Sequence, residues 1–384
     1  MWTPKTAAVG PGTELERESH VAPSTMAAVL LTGHGGLDRL QYRTDVATPS
    51  AGPGEVVIQV AAAGINNTDV NTRTGWYSKA VGQDTGAGGA AGFDSVDDLD
   101  ATWSGKALEF PRIQGADVCG RIVDVGAGVP RRRVGERVLV RTMLRAPVEH
   151  RPFECWTLGS ECDGGFAQFT VAPSDDTYAV RSDWSDEELA AIPCAYSTAE
   201  NMLQRAALGA ERVLVTGASG GVGLAAVQLA KRRGAEVTAV CSPAKADDVA
   251  AQGADRTLDR GADVVGALGR AAVDVVVDLV GGAAFPSLLD VLRPGGRYAI
   301  SGAIGGPLAE IDLRTLYLRD LTLLGCTFQE DSVFADLVGY VERDEVRPVV
   351  ARTYPLEQIA RAQEEFLAKR HTGKLVLVPP PVRW

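Results

Sequence analysis

A doubly wound α/β parallel sheet joined to a second, mostly β domain is the architecture this sequence predicts, and three observations predict it. The stretch VLVTGASGGVG at 213–223 runs from an apolar, β-branched strand through glycines into a helical pattern. After it, strand-like and helix-like segments alternate as far as residue 328. Before about residue 185, in contrast, short alternating runs are broken by Gly and Pro turns, the signature of β structure.

The glycine stretch organises the rest. Gly217, Gly220, Gly221 and Gly223 lead into LAAVQLAKRRGAEV, where Leu224, Val227, Leu229 and Ala230 recur at helical spacing. A residue without Cβ lets the backbone approach a pyrophosphate, and the amides at a helix start attract its charge. A tight β–α turn in some other doubly wound domain is the alternative for glycines in this spacing. The strand EVTAVCS at 236–242 argues against that alternative.

Bulk properties narrow the class. A chain of 384 residues with 45% hydrophobic content accommodates two domains with their own cores. A net charge of −11 argues against nucleic acid or an anionic membrane as main partner. No apolar run reaches the roughly 18 residues of a membrane span. Cys119, Cys155, Cys162, Cys194, Cys241 and Cys326 are scattered, as expected of reduced thiols in a cytoplasmic protein. Residues 1–25 lack an apolar core, so they read as a flexible tail and not as a signal peptide.

In chain order, MAAVLLTG and GEVVIQVAAAG read as strands, followed by the polar element GINNTDVNTRTGWY at 64–77. Residues 81–106, rich in Gly, Ala and Asp, carry no period and are expected to be disordered or a lid. FPRIQGADVCGRIVDVG, GERVLV and DGGFAQFTVAP complete a mostly β domain over 26–185. The α/β domain spans 186–328, beginning with helices on both sides of Pro193. Its segments 236–242, 256–258, 273–281, 293–302 and 320–328 bring the count to five or six parallel strands. Residues 329–384 carry a helix near 356–370 and the strand KLVLVP, and are expected to complete the first domain.

These segments, in this order, resemble the medium-chain dehydrogenase/reductase superfamily, a GroES-like β domain interrupted by a Rossmann domain, over about Met26 to Val378. GINNTDVNTRTGWY is similar to the GVNPVDxxxRxGxY element of the zinc-independent quinone oxidoreductases, matching at Asn66, Asp69, Arg73, Gly75 and Tyr77. IQGADVCGRIVDVG resembles their PGxDxAGxVxxVG at Gly115, Asp117 and Gly120. In the zinc alcohol dehydrogenases the first element reads GxCHSD and the second GHE. Here Asn66 holds the first cysteine's place, Ala116 that of the second element's histidine, and Cys194 alone stands where a third ligand would be. One thiolate cannot hold a catalytic zinc that needs three protein ligands, so no metal is expected. Cys194 is then a small buried residue near the domain junction.

The cofactor implied is NADPH. NAD enzymes place an acid after the second strand for the ribose hydroxyls. Here that position is Cys241, followed by Ser242 and Lys245, and in the resembling reductases Ser and Lys at these places meet the 2′-phosphate. Arg260 falls where many of them flank that phosphate with Tyr. Ordinary surface charges are the alternative for Lys245 and Arg260. The likeness further implies cofactor contacts from Ser219, Gly220, Gly221, Val222 and Gly223, and from Thr198, Val280 and Gly302.

Without a metal, hydrogen-bond donors must stabilise the oxyanion or enolate left by hydride transfer. That favours a quinone or an α,β-unsaturated carbonyl, which spreads the incoming charge to oxygen. Asn66, Thr68 and Tyr77 are the candidate donors. In the related enoyl-thioester reductases a Tyr at the GxY position acts as acid, and Tyr77 matches it, although Asn66–Asn67 replaces that subgroup's Asn-Pro. A half-buried aromatic that anchors the loop is the alternative for Tyr77. The expected activity is NADPH-dependent reduction of such a small molecule by a homodimer. A zinc-independent carbonyl or alcohol dehydrogenase and a non-catalytic, crystallin-like NADPH-binding protein are the rivals.

Overall fold

The structure, a computed structural model, describes residues 22–382. Residues 1–21 of the expected N-terminal tail lie outside the described residues, and the first strand is Thr25–Leu31.

The α/β half is built on a six-stranded sheet whose recorded pairings are all parallel. From edge to edge its strands are Arg256–Asp259, Glu236–Cys241, Arg212–Val215, Val273–Asp278, Leu292–Ile300 and Thr322–Gly325. The chain enters at the centre with Arg212–Val215, winds to one edge, then returns and winds to the other. Val213, Leu214 and Val215 have no exposed surface, because helices cover both faces of the sheet. The winding reverses between Arg212–Val215 and Val273–Asp278, which opens a crevice at their carboxyl ends. Buried Asp278 organises that crevice by accepting from Thr216 Oγ1 (2.5 Å), the Val280 amide (2.9 Å), the Gly281 amide (3.1 Å) and the Tyr298 hydroxyl.

The first half centres on the strand Glu55–Gly64. Cys119–Val125, Phe169–Pro173 and Lys374–Val378 all pair with it, antiparallel. Lys374–Val378 thus returns from the far end of the chain, and also lies parallel to Val350–Pro355. Its register matters below. Val376 pairs with Gly64, so continuing the antiparallel match by two residues sets Lys374 against Asn66.

Several elements differ from the sequence reading. The polar stretch 64–77 contains a helix, Asn67–Thr74, entered through a capping box between Asn66 and Asp69 and ended by Gly75 at φ 74°. Thr68 to Thr74 are all buried, so no polar face exists to betray a helical period. The last sheet strand is Thr322–Gly325, shorter than the stretch 320–328. A further helix, Asp331–Glu342, packs Phe334 against Tyr178, with ring centroids 5.0 Å apart.

Residues 81–106 form turns without helix or strand, yet they are stitched to the body. The Arg73 guanidinium, with no exposed surface, donates to the Gly89 carbonyl (2.6 Å), the Gly35 carbonyl (2.7 Å) and Gln363 Oε1 (2.8 Å). The Asp97 amide donates to Ser78 Oγ (3.0 Å), and the Thr85 amide reaches the Ile304 carbonyl (3.4 Å) of the α/β half. The segment therefore lies across the mouth of the crevice.

Candidate active site

A cleft of about 1560 Å³ runs between the two halves. The candidate donors and candidate cofactor contacts named from the sequence line it, whereas Asp69, Arg73, Ala116 and Asp117 lie behind its wall. The glycine loop contributes Ser219, Gly220, Gly221, Val222 and Gly223; Ser242, Lys245 and Arg260 stand at one end. Thr198, Val280 and Gly302 lie along the walls, and Asn66, Thr68 and Tyr77 close the other end.

The glycine loop is shaped for an anionic ligand. Gly217 adopts φ 59°, a left-handed conformation that L side chains rarely take. A Cβ on Gly223 would collide with the Gly217 carbonyl oxygen, so only glycine lets the helix Gly221–Arg232 start this close to the strand. That helix has no side-chain cap and no acid in its first turn, so its first amides face the cleft unpaired by side chains. A pyrophosphate fits this cradle through backbone amides alone.

At one end of the cleft, positive charge accumulates. Lys245 Nζ donates to the carbonyls of His371 (2.5 Å) and Lys369 (2.8 Å), while Arg260 stands nearby. Lys245 is held below its usual value by partial burial and by Arg260. His371 is pushed down to about 4 by burial and by Lys245 and Lys369. Asp259 pairs with Cys241 across the strands, but its carboxylate accepts from the Gly261 amide at 2.7 Å. Sequence reasoning missed Lys369 and His371, because only the returning C-terminal segment brings them here.

At the other end lies a buried polar cluster. Lys374, 4% exposed, donates through Nζ to Asn66 Oδ1 (2.5 Å) and Asp117 Oδ2 (2.8 Å). Asn66 Nδ2 donates to Asp117 Oδ2 (2.8 Å) and to the Gly64 carbonyl (3.4 Å), so both amide hydrogens point inward. Asp117, with no exposed surface, also accepts from the Cys194 amide (2.6 Å) at the start of the helix Pro193–Arg205, a favourable place for an anion. Burial and Asp117 raise the Cys194 thiol far above its ordinary range, so it stays protonated. An ammonium thus sits among the residues that correspond to the zinc ligands of the metal branch, with Ala116 offering no donor atom. Among the described residues, no group of three or more His, Cys, Asp or Glu comes together to hold a metal ion.

Tyr77 faces the cleft beside these groups. Its phenol is raised above its ordinary range, mostly by burial, with the Thr68 and Asn71 side chains opposing, so it carries its proton at neutral pH. Thr68 Oγ1 accepts from Trp103 Nε1 at 2.7 Å, and the Tyr77 and Trp103 ring centroids are 5.5 Å apart. Asn71, Trp103 and Lys374 all line the cleft and all escaped the sequence reading. For Lys374 a signal existed: a lysine opening an otherwise apolar strand, KLVLV.

A glycine cradle on a doubly wound sheet, facing a cluster of donors on a β domain, defines a two-domain oxidoreductase that binds a nicotinamide dinucleotide. Residues 52–182 match the alcohol dehydrogenase GroES-like domain family and residues 221–343 the zinc-binding dehydrogenase family. A structure of a putative alcohol dehydrogenase from Sinorhizobium meliloti is 44% identical, with a TM-score of 0.83, over 94% of this chain and 98% of that one. Quinone oxidoreductase from Lama guanicoe is 28% identical over 92% of this chain and 97% of its own. Acryloyl-coenzyme A reductase from Metallosphaera sedula is 29% identical over 92% and 99% respectively. The chain belongs to the medium-chain dehydrogenase/reductase superfamily and is quinone oxidoreductase-like.

Two outcomes follow from the buried cluster. Asp117→Asn strands a buried ammonium and should cost about 3–5 kcal/mol, whereas Asp117→Asn with Lys374→Met should recover much of that loss. Urea unfolding of both variants measures it. Asp69 accepts from the amides of Asn66 (2.7 Å) and Ala116 (3.3 Å), but burial and neighbouring Asp117 push its carboxyl up to about 7. The folded state then keeps a proton that the unfolded chain releases near pH 4. This group's contribution to stability is present below that pH and declines until about pH 7. Unfolding measured across that window should show the decline in the wild type and a flatter profile in Asp69→Asn.

Proposed function

We propose that the protein is an NADPH-dependent reductase of quinones or α,β-unsaturated carbonyls that works without zinc. The observation that carries this reading is the Lys374 ammonium, bonded to Asn66 and Asp117 where the metal branch keeps its ion. With Asn66 turned inward, Tyr77 and Thr68 are the hydroxyl donors left to meet a substrate oxygen. The nicotinamide, when bound, supplies the hydride. The chain's own part is to hold the acceptor beside it and to stabilise the enolate oxygen with a neutral phenol. Asn66 then positions the site through Lys374. The names of the relatives support a conjugated acceptor: quinone oxidoreductase and acryloyl-coenzyme A reductase. A zinc-independent carbonyl or alcohol dehydrogenase is the second reading, favoured by the putative alcohol dehydrogenase at 44% identity.

NADPH is supported by the cations around Lys245. Lys245, Arg260 and Lys369, beside a neutral His371, form a surplus of positive charge that a 2′-phosphate would balance. A homodimer is supported by the edge strand Thr322–Gly325 with exposed Leu323, beside the exposed Leu313, Tyr317 and Leu318. All six cysteines are free, as suits a protein of the cytoplasm.

Lys245→Ala should weaken NADPH binding by about tenfold or more while leaving NADH almost unchanged. Fluorescence titration with both cofactors reads this, and equal losses would refute a phosphate contact. Tyr77→Phe should lower kcat on an enone by roughly 10²-fold, with cofactor affinity barely altered. Wild-type turnover in that variant would return Tyr77 to a packing role. Leu323→Asp should convert the expected dimer to monomer or aggregate in light scattering at micromolar concentration, and a monomeric wild type would contradict the interface.

A further inference from the structure

We propose that Phe153 and Phe328 form an aryl-binding subsite at the substrate end of the cleft, so that the acceptor this protein prefers carries an aromatic ring. The inference rests on the reading of the cleft as the place where a conjugated carbonyl is reduced, and narrows the class of that acceptor.

The two rings come from opposite halves. Phe328 lies just past the carboxyl end of the strand Thr322–Gly325, where a doubly wound sheet holds its ligands. It is fixed there from several sides. Arg141 Nη2 (2.6 Å) and Arg145 Nη1 (3.2 Å) donate to the next carbonyl, that of Gln329, and Gln329 Nε2 donates to Ser197 Oγ (3.0 Å). The Arg145 guanidinium also covers one face of the Phe328 ring, 4.4 Å from its centroid. Phe153 meets Phe328 with 5.0 Å between centroids and 46° between planes, inside the distance range of favourable aromatic pairs.

Phe153 fills no core. It is 73% exposed and lines the cleft. Its backbone adopts φ 60°, a region that bulky L residues rarely enter, and Glu149 and His150 in the same loop adopt 54° and 53°. The loop is held in that form. Asp176 Oδ2 accepts from the amides of Arg145 and Ala146 (2.9 Å each), Arg145 Nη2 donates to the His150 carbonyl (2.8 Å), and Arg151 Nε donates to the Val148 carbonyl (3.0 Å). Buried Arg145 therefore shapes the loop that carries Phe153 and braces the ring on which Phe153 packs. An exposed aromatic kept over a ligand cleft at a backbone cost points to contact with the ligand.

The rest of that end is aromatic as well. Trp76, Tyr77 and Trp103 line the cleft, with the Trp76 and Tyr77 centroids 5.7 Å apart and those of Tyr77 and Trp103 5.5 Å apart. Both indole N–H groups are spent within the protein, Trp76 on the Gln83 carbonyl (2.9 Å) and Trp103 on Thr68 Oγ1 (2.7 Å), so the two indoles offer only their π surfaces. The cleft volume of about 1560 Å³ exceeds the roughly 300–1,000 Å³ of an ordinary small-molecule site, which leaves space for a ring-bearing acceptor beside a dinucleotide. A phenyl or fused ring gains from such walls by stacking and by burial, a short alkyl chain by burial alone. A coenzyme A thioester would bring phosphates that these side chains do nothing to balance.

The test compares benzylideneacetone with 3-penten-2-one, enones that differ by a phenyl in place of a methyl, each with NADPH and the full chain. The saturated ketones 4-phenyl-2-butanone and 2-pentanone serve as unreactive ligands of the NADP⁺ complex, their binding read by calorimetry. Wild type should bind the aryl ketone at least tenfold more tightly than the alkyl one, with KM values in the same order. Phe153 is exposed, so Phe153→Ala opens no cavity, and it should raise the aryl KM and Kd about tenfold and draw both ratios towards one. Phe153→Tyr, which keeps a ring, should restore them. Losses shared equally by aryl and alkyl ligands, no loss in Phe153→Ala, or no recovery in Phe153→Tyr would overturn the subsite. A wild-type preference for crotonyl-coenzyme A over benzylideneacetone would overturn the aryl class. If neither enone is reduced while 4-phenyl-2-butanone still binds in a Phe153-dependent way, the subsite stands and the reaction proposed above falls.

Discussion

The ion pair between Lys374 and Asp117 is the interaction on which the rest of the site depends. It joins the last strand of the chain to the turn before Cys119–Val125, and Asp117 in turn fixes the amide that starts the helix Pro193–Arg205. The Lys374 stem also lies against the glycine loop: a Cβ on Gly221 would come within 2.7 Å of its Cδ. One residue earlier, the Gly373 amide donates to the Ser219 carbonyl at 3.1 Å. Two consecutive residues thus tie the β domain to the glycine loop. A buried charge pair gives little net stability, because desolvation cancels most of its attraction. Its consequence here is geometric: it fixes how Asn66 is turned and leaves Tyr77 and Thr68 facing the cleft.

The same C-terminal stretch also shapes the far end. The carbonyls of Lys369 and His371 hold Lys245, Lys369 Nζ donates to Asn67 Oδ1 (3.0 Å), and Thr372 Oγ1 donates to Asp248 (2.7 Å). Residues 369–374 therefore run from the cation cluster to the Asn66 end, along one side of the cleft. Mutual repulsion among Lys245, Arg260 and Lys369 is a standing cost that an anion relieves, which is the electrostatic form of selectivity.

The α/β sheet was legible because its central strands are apolar on both faces and its glycines fall between strand and helix. VLV at 213–215 and VVV at 275–277 are read alike in sequence and structure. The helix Asn67–Thr74 was not, since complete burial of a polar helix erases the amphipathic period that sequence reading uses. The candidate site was legible where motifs are local, as at Asn66, Tyr77 and the glycine loop. Lys374 and Asn66 meet only through the register of two strands far apart in the chain, and Trp103 reaches Thr68 from a segment without periodicity. Long-range placement of that kind leaves no spacing to detect.

The central claim is that donors on the chain, and not a metal, serve hydride transfer to a conjugated acceptor. The most direct measurement is NADPH oxidation with cyclohexenone and with naphthoquinone, on protein dialysed against a chelator and assayed for zinc by emission spectroscopy. The account predicts sustained turnover of at least one acceptor with far less than one zinc per chain. Activity that disappears with the metal and returns on adding zinc would contradict it.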